Sequence, residues 1–135
     1  MPRFTYRMTN TAREHLKKAV RDTQRTWGAK QARKYNADFL SGLQYIADNH
    51  TTFNSPHREA MAEGTAFSIH LVEHRYVAFQ KHDKNTISIA GIFHETMDIR
   101  ARLRELQTMV RHEIETLKRE IEHTKPSKSE GKKKG

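Results

Sequence analysis

The sequence predicts an α+β domain: a helical hairpin packed on one face of a largely antiparallel sheet, followed by a long C-terminal helix. Three observations carry that prediction. Apolar and polar residues alternate near the N-terminus and again in the stretch after Gly64, the period of a strand. Two apolar stripes at helical spacing run between Leu16 and Ala47 with almost no loop separating them. A narrow apolar seam then runs from Ile99 to Ile121.

Phe4, Tyr6 and Met8 alternate with Thr5, Arg7 and Thr9, which predicts a first strand. Thr11-Ala12-Arg13-Glu14 has the form of a capping box at the start of a helix. Leu16, Ala19, Val20, Thr23 and Trp27 form the inward stripe of that helix, and Gly28 punctuates it. Ala32, Tyr35, Phe39, Leu43, Ile46 and Ala47 line a second helix. Asp48-Asn49-His50 is its stop, because Asn tolerates the left-handed conformation that ends helices. So short a connection makes the two helices a hairpin. Residues 51–63, with Asn54-Ser55-Pro56, read as a loop with a short turn near Arg58–Met61.

Strand-like runs follow over 65–71, 75–81 and 86–93. Val72-Glu73-His74 and His82-Asp83-Lys84-Asn85 are short enough to be hairpin connections, so the three runs form a meander. Ile87, Ile89 and Gly91 are expected on one face of the last strand. Ile99, Leu103, Leu106, Val110, Ile114, Leu117 and Ile121 then make a seam on a helix that runs to about His123. At 1.5 Å per residue this helix is roughly 40 Å long, enough to outrun a small domain and form a coiled-coil-like contact. Pro126 ends it, and the Lys-, Ser- and Gly-rich residues 125–135 read as a disordered basic tail.

Composition narrows the chemistry. Of 135 residues, 35% are hydrophobic and 30% charged, which is lean for a packed domain and places part of the polar excess outside it. There is no cysteine, so a disulfide framework, a thiolate zinc site and a cysteine nucleophile are excluded. No apolar run approaches the roughly 20 residues that span a bilayer, and the N-terminus has no apolar block of signal-peptide type. These features predict a cytoplasmic protein with no membrane partner. The net charge of +9 calls for an anionic partner. Arg13, Lys17 and Arg21 form a row on the first helix, near Lys18 and Arg25; Arg111, Lys118 and Arg119 extend the basic set on the last helix. The aromatic interleaving of a base-stacking platform is absent, so the charge reads as partner attraction, not specific nucleic-acid recognition.

Specific residues fill this order of elements. Trp27-Gly28 closes the first helix, Gly64 opens the meander, and Arg75-Tyr76-Val77-Ala78-Phe79 forms its middle strand. Ile87-Ser88-Ile89-Ala90-Gly91-Ile92-Phe93-His94-Glu95-Thr96-Met97-Asp98 closes it. The chain resembles the ParE branch of the RelE/ParE toxin superfamily over residues 3–102. That resemblance divides it into a toxin domain over 1–98, a helical extension over 99–124 and the tail over 125–135. It implies a bacterial toxin of a type II toxin–antitoxin module, of the kind linked to plasmid stabilisation. Such toxins bind DNA gyrase and trap its cleaved-DNA complex without covalent chemistry or a cofactor, and a cognate antitoxin neutralises them. The related RelE branch implies the alternative of a ribosome-dependent mRNA endonuclease, with Arg75, Lys81, His94 and Arg100 handling phosphate and protons. A third reading is an inactive toxin fold that assembles, for instance as a homodimer, through its long helix. Ala66, where the family usually has arginine, and Gln80, where an aromatic is common, depart from the pattern, as does the extension.

Arg75, His94, Arg100, Arg102 and Arg104 are the candidates for contact with target or antitoxin. Each has a structural reading beside the functional one; for Arg100, Arg102 and Arg104, as for the other helix cations, it is a solvated helix face. Arg75 can bind an acidic segment or a phosphate, or pair with a carboxylate at the sheet edge. His94 can act as an acid or base, or donate to a backbone carbonyl at the strand-to-helix turn. Asp98 suits the N-terminus of the long helix, Met97 and Phe79 the core, and Trp27 an anchor between helices and sheet. His94-Glu95-Thr96-Met97-Asp98 lacks the second imidazole of a zinc-protease motif, and His70, His74 and His82 have no recognised ligand spacing, so no metal site is expected.

Overall fold

Strand β4 (Thr86–His94) is buried along nearly its whole length, and the sheet is built around it. The computed structural model describes residues 4–52, 56–83 and 85–124. Around β4 they form β1 (Thr5–Met8), α1 (Asn10–Trp27), α2 (Ala29–Asn49), α3 (Pro56–Met61), β2 (Ser68–Val72), β3 (Arg75–Lys81) and α4 (Ile99–Thr124). The strand order is β1-β4-β3-β2. The meander is antiparallel, whereas β1 runs parallel to β4, with Thr5 opposite Thr86 and Met8 opposite Ile89. A parallel pair needs a long crossover connection, and here everything from α1 to β3 lies between the two strands. The basic tail at 125–135, Pro126, the Asn54-Ser55 part of the loop and Lys84 of the last hairpin lie outside the described residues.

One face of the sheet carries the helical hairpin. Leu16 of α1 and Phe39, Leu43, Ile46 and Ala47 of α2 pack on Val77, Phe79, Ile87, Ile89 and Ile92, with Phe4, Tyr6 and Met8 at the margin. The spacing of the α2 stripe is the one the sequence predicts. α1 differs at both ends. Its N-cap is Thr9, not Thr11: Thr9 Oγ1 accepts from Ala12 N–H at 2.9 Å and donates to Ala90 O at 2.9 Å. The strand fixes this, because Thr9 N–H is already bonded to Ile89 O and the helix begins at once. The expected capping box is not formed, and Glu14 lies 3.5 Å from Lys17 instead. At the other end Trp27 is 72% exposed, which corrects its assignment as a core anchor. The buried residues of α1 stop at Ala19, and Trp27 lies two turns past them, beside Tyr35 and the β2–β3 turn. α2 ends at Asn49 with His50 in right-handed geometry, so the left-handed stop expected of Asn49 does not occur.

The other face carries α4. Ile99, Leu103, Leu106, Val110 and Ile114 pack on Phe67, Ile69, Ala78, Ala90 and Phe93. The 99–114 part of the seam is therefore buried against the chain's own sheet. A bulge in β4 makes this packing possible. Ala78 faces Gly91 and Phe79 faces Ile89, leaving Ala90 as the extra residue. The alternation flips there, so Gly91 does not share the face of Ile87 and Ile89. It lies under α4, where an added Cβ would come within 2.7 Å of Leu106 Cδ2. The connections are equally specific. β2 and β3 join through Glu73 and His74 alone, at φ 47 and 63, the geometry of a type I′ turn in which Asn and Gly are usual. Gly64, at φ 87, opens the turn that leads into the meander. Polar ties then fix α4: Gln107 Oε1 accepts from Ala66 N–H at 2.7 Å, and Glu113 accepts from the N–H groups of Asn10 and Thr11 at 2.6 and 3.2 Å and from the Thr11 hydroxyl at 2.8 Å.

Two outcomes follow for stability. Gly91→Ala is expected to cost about 1–3 kcal/mol in urea unfolding, because Leu106 must shift. In the Leu106→Ala background the same change is expected to cost much less, so the pair should be strongly non-additive. Glu113→Ala is expected to cost about 1–2 kcal/mol, since it removes a charged cap from the N-terminus of α1; a thermal melt unchanged from wild type would contradict that role.

Candidate functional site

Past Met8 the chain turns into α1, so the last residues of β4 have no strand on that side. Side chains of α1 take over. Thr9 holds Ala90 O, and His15 Nδ1 accepts from Ile92 N–H at 3.0 Å while its ring lies 5.2 Å from the Phe93 ring. To accept there, His15 must be neutral. Burial pushes its pKa below the ordinary 6.5, which favours that form. α4 rises on the far side of the same strand end. Between α1, the end of β4 and α4 lies a cleft of about 460 Å³.

The cleft is amphipathic. Lys18 and Asp22 of α1 face Arg102 and Glu105 of α4 across it, with Arg75, Phe93 and His94 from the sheet. Met97 and Met109 stand at its mouth, 44% and 60% exposed. Met97 was expected in the core. It lies instead in the turn between β4 and α4, where its N–H bonds to His94 O at 3.0 Å and its side chain points outward. Asp22 bonds Lys18 at 3.0 Å and Arg25 at 3.1 Å, and the Lys18 hydrogen bond holds its carboxyl below the ordinary carboxylate range. Arg102 bonds Glu105 at 3.2 Å.

The structure brings some of the sequence candidates together and separates others. Arg75 and His94 are opposite each other in the β3–β4 ladder. Arg75 Nε donates to Tyr35 OH at 3.0 Å, not to a carboxylate. His94 Nδ1 accepts from the Thr96 N–H and lies 2.8 Å from the Thr96 hydroxyl, which replaces the expected donation to a carbonyl. Asp98 Oδ1 accepts from Ala101 N–H at 3.3 Å at the start of α4. Arg102 reaches the cleft, but Arg100 and Arg104 do not line it. Lys81 is at the opposite end of β3 from Arg75, roughly 20 Å away at 3.3 Å per residue. Arg75, Lys81, His94 and Arg100 therefore do not form one constellation. His70 contacts Arg58 and His74 contacts Glu95, and no group of three or more His, Asp or Glu among the described residues could share a metal ion.

Sequence reasoning missed His15, Asp22 and Met109, and placed Lys18 only in the general basic set of the first helix. Their signal was present only as positions on the flanks of the two apolar stripes, and it becomes legible only once α4 is known to lie opposite α1. His15 leads to a pH dependence. Its folded pKa is depressed, so the unfolded chain binds the proton more readily. Its stabilisation is full above about pH 6.5 and is lost as the pH falls through the folded value. Burial, with a smaller contribution from Arg58, depresses His70 in the same direction. His15→Asn keeps an acceptor for Ile92 N–H but does not titrate, so its unfolding midpoint is expected to fall less between pH 7 and pH 5 than that of wild type. Parallel curves would show that His15 does not carry this dependence.

The comparisons with known proteins agree with this architecture. The family model described as "ParE toxin of type II toxin-antitoxin system, parDE" matches residues 6–99. The Escherichia coli protein "Toxin ParE" is 30% identical over 98 residues, covering 73% of this chain and 91% of that protein. A solved chain of the chromosomal ParDE toxin–antitoxin system from P. aeruginosa superposes with a TM-score of 0.56 at 15% identity, over 67% of this chain and 95% of that one. The family match ends at Ile99, the first residue of α4, so the helix that closes the cleft lies almost wholly beyond it. The chain belongs to the ParE toxin family of type II toxin–antitoxin systems.

Proposed function

We propose that this toxin acts in the bacterial cytoplasm by binding DNA gyrase and trapping its cleaved-DNA complex, and that a cognate antitoxin neutralises it by filling the cleft between α1, β4 and α4. Gyrase makes the DNA break itself, so the toxin need contribute only a rigid, complementary surface. The observation that carries this reading is the cleft. It places two exposed methionines beside Arg75 and Arg102, a combination that suits an amphipathic, acidic segment of a partner protein. Methionine side chains adapt to an apolar ridge, and the guanidinium groups offer paired donors to carboxylates. Among the described residues Lys81 and Arg100 stand apart from Arg75 and His94, an arrangement that suits a toxin that binds.

Purified toxin added to gyrase and plasmid DNA, followed by detergent and protease, is expected to release gyrase-dependent linear DNA. Unchanged supercoiling with no linear product would refute the target. For the antitoxin, Met109→Asp and Arg102→Glu are each expected to weaken the complex at least about tenfold in a titration, by placing charge on an apolar contact or reversing an ion pair. Equal affinity for wild type and both variants would move the antitoxin to another surface.

A further inference from the structure

We propose that one flank of α4 is a binding surface for the phosphate backbone of duplex DNA. Arg100, Arg104, Arg111 and Lys118 are all exposed. At 100° per residue they fall within about 40° of one another around the helix, and they span roughly 27 Å along it. Among the described residues none of the four has an ion-pair partner, whereas Arg7, Lys17, Lys18, Arg25, Lys34 and Arg102 all do. The row has backing: Gln107, on the same flank, is bonded to Ala66 N–H, and the seam behind it is buried in the sheet, so the cations project from a fixed support. Glu115 and Glu122 stand beside the far end of the row, which makes Arg100–Arg111 its stronger part.

The shape of this charge selects the partner. An acidic protein segment binds through apolar anchors at the centre of its interface, and this flank has none. Among the described residues the exposed large apolar ones are Trp27, Leu40, Tyr45, Met97 and Met109, and the only one of these within α4, Met109, faces the cleft on the other side. A linear polyanion needs no such anchor. Duplex DNA carries a phosphate charge about every 1.7 Å of its axis, so a 27 Å row meets on the order of 16 charges. The B-form major groove, about 12 Å wide, admits an α-helix, while the A-form groove of RNA is too narrow for side chains. With contacts to phosphates and not to base edges, binding is independent of sequence. The inference does not rest on gyrase being the target.

The test is fluorescence anisotropy of the full chain with a labelled 24-base-pair duplex at a series of salt concentrations. Removing four phosphate contacts makes the plot of log K against log salt shallower by about 3.6. Between 50 and 200 mM salt the wild type is therefore expected to lose about 150-fold more affinity than the Arg100→Gln/Arg104→Gln/Arg111→Gln/Lys118→Gln variant. Arg13→Gln/Lys17→Gln/Arg21→Gln/Arg33→Gln removes the same charge from the helical hairpin and is expected to leave the slope near that of wild type. The Arg104→Gln/Arg111→Gln variant, with a circular dichroism melt as a fold check, is expected to show about half the change. Equal slopes for the α4 and hairpin variants would overturn the proposal. So would tighter binding of an RNA duplex or of a poly-glutamate peptide to the same flank.

Discussion

β4 is enclosed on all sides, and the way each side is closed determines the rest of the molecule. Seven consecutive residues, Ile87–Phe93, are buried. A strand buried on both faces needs an apolar layer above and below it, and one that is also central needs partners on both edges. The helical hairpin supplies one layer, α4 the other, and β3 one complete edge. The remaining edge is shared. β1 covers Thr86–Ile89, and side chains of α1 cover Ala90 and Ile92. The bulge at Ala90 lies where the edge partner changes, and it also turns Gly91 toward Leu106. One extra residue thus changes which face carries the last side chains and lets α4 approach the backbone closely.

The cleft is a consequence of that incomplete edge. Had β1 continued along β4, a strand would occupy the space now bordered by His15, Lys18 and Asp22. Because Thr9 ends the strand and caps the helix in one residue, α1 departs at an angle and its polar flank faces the polar flank of α4. The groups in the cleft are mostly engaged with each other in exposed pairs, each worth little on its own. Breaking those weak pairs therefore costs a partner little, and its carboxylates and apolar ridge must then offset the desolvation of the charges they cover.

Most of the fold was legible in the sequence, because it rests on periods that a buried face imposes. The α2 stripe, the bounds of β3, and the α4 seam follow from residues such as Phe39, Val77 and Leu103 recurring where a 3.6- or two-residue repeat requires them. What was not legible depends on relations between distant segments. Thr9 outranks Thr11 as the cap because Ile89, eighty residues away, fixes its backbone. Gly91 changes face because of a bulge, which leaves no trace in an alternating run of Ile, Ser and Ala. Trp27 continues the stripe of α1 in register, yet the packed surface ends before it. A periodic pattern says which side of a helix is apolar but not how far the neighbouring layer extends. The site suffered most, since Lys18, Asp22 and Met109 matter only through the opposition of two helices far apart in sequence.

α4 shows how one helix can serve three surroundings. Its seam is part of the core, one flank closes the cleft with Arg102, Glu105 and Met109, and the other carries Arg100, Arg104, Arg111 and Lys118. An appendage joined by a flexible linker would present those side chains in many orientations, and each contact would have to overcome the entropy of fixing them. A helix locked by Leu103, Leu106 and Val110, pinned at Gln107 and Glu113, presents both flanks from one rigid support. Preorganisation of this kind favours association through weak, dispersed contacts. It also couples the flanks: a partner that pulled α4 from the sheet to reach the cleft would expose Phe67, Ile69 and Phe93, so partners on either flank are constrained to bind with the helix seated.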